Sequence, residues 1–274
     1  MLINHCHVSP KGFGSEKDKP DMGTIAGLQR ILDDVGVEGA VCFAPFGWEG
    51  GVWEEIGGGL DRNEWLCREL RRYPNLFGFA TIYPQDHDAA DQLKKAIEMG
   101  LVGAKVHPPV MRIRLDDPSI ERFWQMAESL RIPISIHTGA HGWNLRHYMP
   151  ILLDDIAQRH PNLRIIIEHI GGIAFFEQAL AVLHNNRNCY AGLTQCSGRD
   201  PRYRLLPERL KLLLETVGAD RIIYGLDYPW NSNNLEALKS DIDWIQSWGI
   251  SEEEAQKILG GNLKRLIEEV RRKG

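Results

Sequence analysis

Short apolar runs rich in β-branched residues alternate with amphipathic stretches along the chain. The runs Leu2–Val8, Val37–Ala44, Leu76–Ile82, Leu101–His107, Ile132–His137, Leu163–His169, Asn188–Thr194 and Arg221–Leu226 are predicted to be strands. Between them the apolar positions recur with helical spacing: Thr24–Val35, Arg62–Tyr73, Ala89–Met99, Ile120–Leu130, Met149–Arg159, Phe175–His184, Arg204–Val217 and Leu235–Ser247. Two short helices are predicted near Ser251–Leu259 and Asn262–Arg271. Eight strands alternating with helices over about 250 residues point to an α/β protein with a (β/α)8 TIM barrel. A doubly wound open sheet shows the same alternation and is the competing fold. No repeat, low-complexity tract or long linker divides the chain, so residues 1–274 read as one barrel domain.

Two loops stand out, each directly after a strand. Ser9–Gly23 is polar and charged, and Pro45–Gly59 is rich in glycine and aromatic residues, Trp48 among them. In barrels, long loops at the C-terminal ends of strands carry substrate contacts and lids.

Composition narrows the picture by exclusion. The chain is 43% hydrophobic and 25% charged, with a net charge of -5 and no long block of one sign. That argues against nucleic-acid and membrane-surface partners, which need a basic field. No apolar stretch approaches the length of a membrane span. The five cysteines form no CxxC pair and sit mostly in apolar runs, as reduced thiols of a cytoplasmic protein would. No charged-then-apolar leader is present, and the first candidate ligand is already residue 5. Gly57-Gly58-Gly59 is not followed by Lys-Ser or Lys-Thr, which excludes a P-loop. The expected partner is a small-molecule substrate; a homo-oligomer is compatible with all of this.

The candidate chemistry lies at the strand ends. His5 and His7 are in the first predicted strand, and His107, His137 and His169 close the fourth, fifth and sixth; Asp227 follows the eighth. A parallel barrel brings all these ends to one rim. Side chains at i and i+2 share a face, so His5 and His7 point together and Cys6 points away. Imidazoles and a carboxylate converging at a rim suit zinc or another first-row metal. Lys105 shares a face with His107, so both are expected to look into the site. Glu168 alternates away from His169 and is expected to face the helix layer as a structural residue.

Asn4-His5-Cys6-His7, Gly103-Ala104-Lys105-Val106-His107-Pro108, Ile136-His137-Thr138-Gly139, Glu168-His169-Ile170-Gly171-Gly172 and Tyr224-Gly225-Leu226-Asp227-Tyr228-Pro229-Trp230 form an ordered set. Together with Ile258-Leu259-Gly260-Gly261-Asn262, the set resembles the amidohydrolase superfamily. It is most similar to the branch that contains aminocarboxymuconate-semialdehyde decarboxylase and hydrolase-like relatives. The resemblance implies one or two divalent metals, zinc first and manganese or another first-row metal as alternatives. It implies His5, His7 and His137 as ligands, and Asp227 as a ligand or proton carrier. His169 would bind a second metal, or hydrogen-bond the attacking water or the developing oxyanion. Lys105 would be carbamylated between two metals, or bind a substrate carboxylate, or serve in a structural ion pair. Many relatives carry Asp where this chain has Asn4; by alternation Asn4 does not face the metal, so binding is expected to persist.

The expected activity is metal-dependent hydrolysis of a lactone or amide of a small carboxylated compound, with Asp227 moving the proton and His169 stabilising charge on oxygen. The alternative is non-oxidative decarboxylation at the same site. A third reading is a barrel that binds a metal or small molecule without turnover. His107, Arg112, Arg114, Trp143, Arg146 and Trp230 are the candidate substrate contacts, since arginines beside aromatics suit a planar carboxylated molecule.

Overall fold

The computed structural model describes residues 1–13, 21–47 and 58–272. Trp48 and parts of both long loops lie outside the described residues.

The apolar runs form parallel strands: β1 (Leu2–His7), β2 (Gly39–Phe43), β3 (Leu76–Thr81), β4 (Gly103–Val106), β5 (Pro133–His137), β6 (Arg164–Glu168), β7 (Cys189–Gly192), β8 (Ile222–Ile223) and β9 (Gly225–Tyr228). β8 and β9 are two pieces of the predicted eighth strand, interrupted at Tyr224. β8 pairs with β7 and β9 pairs with β1, so the sheet closes on itself through that residue. This is the TIM barrel, and the open-sheet alternative falls. The strands read as continuous apolar runs because parallel strands in a barrel are buried on both faces.

Helices α1 (Ile25–Val35), α2 (Arg62–Leu70), α3 (Ala89–Glu98), α4 (Glu121–Leu130), α5 (Leu152–Arg159), α6 (Gly172–Asn185), α7 (Pro207–Val217) and α8 (Asn234–Gln246) follow the strands, ahead of α9 (Glu252–Gln256) and α10 (Asn262–Arg271). Some of their starts carry side-chain caps: the Thr24 hydroxyl accepts from Gly27 N, and Ser251 and Glu254 form a capping box. None of these helices is long and apolar enough to cross a membrane.

Two apolar layers result. Ile3, Cys6 and Val8 join the layer between barrel and helices, while Leu2, Val41, Phe43, Phe79, Ile166 and Ile223 fill the interior with Leu263, Leu266 and Ile267 of α10. The closing helix thus packs with the barrel's interior cluster. It approaches closely because Gly260 has φ 150° and a Cβ there would lie 2.2 Å from Leu2 N. Asn262 anchors the same corner, its Nδ2 donating to the carbonyls of Ala219 (2.7 Å) and Ile222 (2.8 Å).

Candidate active site

The candidate rim ligands sit on irregular backbone. Between Ile3 and Cys6, β1 advances three residues while β2 advances two, from Ala40 to Cys42. Between Asn4 and Cys6, β1 advances two while β9 advances three, from Gly225 to Tyr228. Each strand therefore carries a β-bulge, and the residues with left-handed backbone there are His5 (φ 66°) and Asp227 (φ 62°). His169 (φ 61°) and Gln195 (φ 62°) share this conformation at the ends of β6 and β7. For residues other than glycine it costs on the order of 1–3 kcal/mol each and concentrates at functional sites.

The bulges alter the expected directions. His5 and His7 face the interior and Cys6 faces the helices, as alternation implies. Because His5 is the extra residue, Asn4 also points inward, and its Nδ2 donates to Glu168 Oε1 at 2.7 Å. The expectation that Glu168 faces the helix layer is likewise overturned. Strict alternation fails at His169, where the left-handed turn lets Glu168 and His169 both point inward.

Glu168 is fully buried at the centre of a polar network. Its carboxylate accepts from Asn4, from Ser135 Oγ (2.8 Å) and from Thr194 Oγ1 (2.6 Å), and it pairs with His5 Nδ1 at 3.1 Å. The Thr194 hydroxyl proton goes to Glu168, so Thr194 Oγ1 accepts from His5 Nδ1 at 3.1 Å. His5 therefore carries its proton on Nδ1 and presents the Nε2 lone pair, 3.3 Å from Asp227 Oδ1. An imidazole backed by a carboxylate in this way is oriented and made more basic for a metal. His7 Nε2 lies 3.6 Å from the same Asp227 oxygen. One ligand atom from each of His5, His7 and Asp227 falls within 4.8 Å of the others, so the chemistry and spacing of this donor set fit a divalent metal.

His137 lies outside that cluster of three. Its Nε2 donates to the Gly139 carbonyl at 2.9 Å, and its ring stacks on His107 with centroids 4.0 Å apart. His169 donates Nδ1–H to the Thr194 carbonyl at 2.9 Å, which leaves the Nε2 lone pair. Its ring stacks on Tyr203 at 4.1 Å, in space left by Gly139, where a Cβ would come 2.1 Å from the Tyr203 ring.

These residues line a cavity of about 850 Å³, with His107, His137, His141 and His169 beside the cluster. Gln195, Arg199, Arg202 and Tyr203 also line it, as do Trp230 and Asn231. Of the expected substrate contacts, His107 and Trp230 are there; Arg112, Arg114, Trp143 and Arg146 are not among the lining residues. Arg114 pairs with Asp116, Arg112 lies over the Trp143 ring, and Arg146 is exposed. Arg112, Arg114 and Trp143 are thus held by neighbouring loop residues. Lys105 is also absent from the lining. It is fully buried in the barrel, donating to Ser135 Oγ at 3.3 Å and lying 5.0 Å over the Phe43 ring.

Burial, reinforced by Lys105, holds His5, His107, His137 and His169 well below the usual histidine range, His169 at about 3. The rings are neutral at pH 7, as metal ligands must be. This predicts the acid stability of the metal-free protein. The unfolded chain takes up protons below ~6.5, which the buried rings refuse until far lower pH. Their contribution is therefore present above ~6.5 and is lost as pH falls, each ring accounting for up to ~1.4 kcal/mol per pH unit. Urea midpoints of chelator-treated protein are expected to drop steeply between pH 7 and pH 5; equal midpoints would contradict the placement of these rings.

Gln195, Arg199, Arg202, Tyr203, His141 and Asn231 were not anticipated from the sequence. A signal existed for Gln195, since Thr194-Gln195 ends the seventh strand just as the histidines end others. His141 likewise stands four residues beyond His137.

The amidohydrolase family model matches residues 5–267. A gamma-resorcylate decarboxylase of Polaromonas sp. (strain JS666) is 24% identical over 93% of this chain and 92% of its own length. A second gamma-resorcylate decarboxylase, from Rhizobium radiobacter, is 26% identical over 75% of this chain and 74% of its own length. Among solved structures, a dihydroxybenzoic acid decarboxylase from Polaromonas sp. JS666 with bound manganese and the inhibitor 2-nitroresorcinol superposes with a TM-score of 0.69 at 18% identity, covering 97% of this chain and 96% of that one.

Proposed function

From the premise that this chain belongs to the amidohydrolase family, we propose that it is a metal-dependent, non-oxidative decarboxylase of a hydroxylated aromatic acid. The observation that carries the reading is the His5, His7 and Asp227 cluster in a cavity walled by Tyr203, Trp230 and Arg202, in a chain whose curated relatives over most of their length are decarboxylases. Hydrolysis, the first expectation from sequence, gives way to decarboxylation on the strength of those relatives.

In this reaction the bond from the ring carbon to the carboxylate breaks. Its electron pair stays on the ring carbon, which takes a proton, and carbon dioxide leaves. His5, His7 and Asp227 would hold the metal, manganese or zinc. The metal, when bound, would supply the positive charge that holds and polarises the oxygens of the substrate. Asp227 takes up a proton from water and carries it to the ring carbon. His169, its Nε2 lone pair available, accepts a hydrogen bond from a substrate hydroxyl. Tyr203 and Trp230 offer flat faces to the ring, and Arg202, lying 5.2 Å over Tyr203, contributes a guanidinium beside them.

The test is carbon dioxide release from a panel of dihydroxybenzoates by protein stripped with chelator and reloaded with manganese or zinc. Release by the loaded form, its loss on stripping and its return on reloading are expected. No release across the panel, with turnover of a lactone or amide instead, would restore the hydrolytic reading.

A further inference from the structure

A chain of hydrogen bonds runs from the helix layer to Asp227. Asp241, buried on α8, accepts from the Tyr224 hydroxyl at 2.8 Å and pairs with the Arg199 guanidinium. Arg199 Nε donates to Asn231 Oδ1 at 2.9 Å. Asn231 Nδ2 is committed to the Leu226 carbonyl (3.0 Å) and to Asn234 Oδ1 (3.1 Å). Asn231 Oδ1 also receives Gln195 Nε2 at 3.2 Å, and the same nitrogen reaches Asp227 Oδ2 at 3.3 Å.

This arrangement fixes the Gln195 amide. Both partners of its nitrogen are pure acceptors, so turning the amide over would set oxygen against oxygen twice. Gln195 is buried, and its Oε1 has no hydrogen-bond partner among the described residues. Its backbone has the left-handed φ of 62°. Strain and an unmet buried carbonyl at one residue mark a position held for its effect on a neighbour.

We propose that Gln195 is a positioning residue for Asp227. It ties Oδ2 to the Asn231, Arg199 and Asp241 chain, so that Oδ1 is the oxygen turned toward His5 and His7. Without that tie the carboxylate rotates and no longer presents one oxygen to the cluster. The inference rests on the metal reading of that cluster and is independent of which substrate the enzyme takes.

The experiment is calorimetric titration of Mn2+ into chelator-stripped wild type, Gln195→Met, Asp227→Asn and the double variant, with thermal melts of each metal-free protein. Gln195→Met is expected to raise the Mn2+ Kd about 10-fold, the usual scale for groups that orient a metal ligand. In the Asp227→Asn background the effect should vanish or reverse. There the new amide nitrogen faces Gln195 Nε2, donor against donor, and Gln195→Met removes the conflict. An unchanged Kd in Gln195→Met overturns the proposal. So does an equal weakening in both backgrounds, which would mark a general structural role. Should Gln195→Met fail to fold, Asn231→Ala loosens Gln195 from its far side; a Kd raised about 3-fold or more supports the role, and an unchanged Kd overturns it. Wild type that takes up no metal would overturn the metal reading itself and this role with it, and that failure shows in the first titration.

Discussion

Asp227→Asn is expected to lower turnover by roughly 100-fold or more, the usual scale for losing an acid–base group, while the protein keeps a substantial share of its metal. In the wild type, Oδ1 faces His5 and His7, and Oδ2 accepts from Gln195. Asparagine can keep an oxygen in the first position, which preserves a donor for the metal. Its nitrogen then meets the Gln195 nitrogen, so part of the affinity is lost. What the amide cannot do is carry the proton to the ring carbon. Metal content and kcat measured side by side separate these effects. Near-normal turnover would remove Asp227 as the proton carrier and pass that role to His169.

His5→Ala is expected to weaken metal binding by more than about 100-fold, beyond the usual cost of losing an orienting group, and to abolish activity with it. Two consequences converge on this residue. The substitution removes a donor from a cluster of three, and it takes from Glu168 one of the four groups around its buried carboxylate. It also leaves Thr194 Oγ1 without the donor it had in His5 Nδ1. Asn4, Ser135 and Thr194 still satisfy Glu168, so the barrel should fold. His7→Ala should lose metal to a similar degree. His137→Ala discriminates between readings: a four-ligand set requires it to match His5→Ala, whereas its position outside the cluster predicts a smaller loss of metal. Elemental analysis of the three variants decides, and full metal retention in all of them would contradict the site.

How far the sequence carried this description depends on the range of the forces involved. Seven of the eight predicted strands lie within the stretch expected from the apolar run, because a strand buried on both faces must be apolar along its length; the eighth runs past its expected end at Leu226 to Tyr228. The ends were read one or two residues long at β2 and β4, where flanking apolar residues such as Val37 and Leu101 lie outside the strand. The ordered histidine motifs sufficed for the family, since strand order alone brings their ends to one rim.

Glu168 marks the point at which that reading stopped. Alternation assigns a direction only while the backbone stays in the β region. A left-handed His169 resets it, and nothing local to a histidine announces a positive φ. That conformation is held by contacts distant in sequence, such as the hydrogen bond from His169 Nδ1 to the Thr194 carbonyl, 25 residues away. The cavity wall was hidden for the same reason. Arg112 and Arg202 both follow strand ends, and composition does not distinguish them; one lies over Trp143 in a loop beside the cavity, and the other lies over Tyr203 inside it. The sequence by itself determined the strands, their order and the residue types at the rim, because burial and periodicity act along the chain. Which rim side chains meet was decided by the tertiary structure, through bulges and loop pairings that only the closed barrel stabilises.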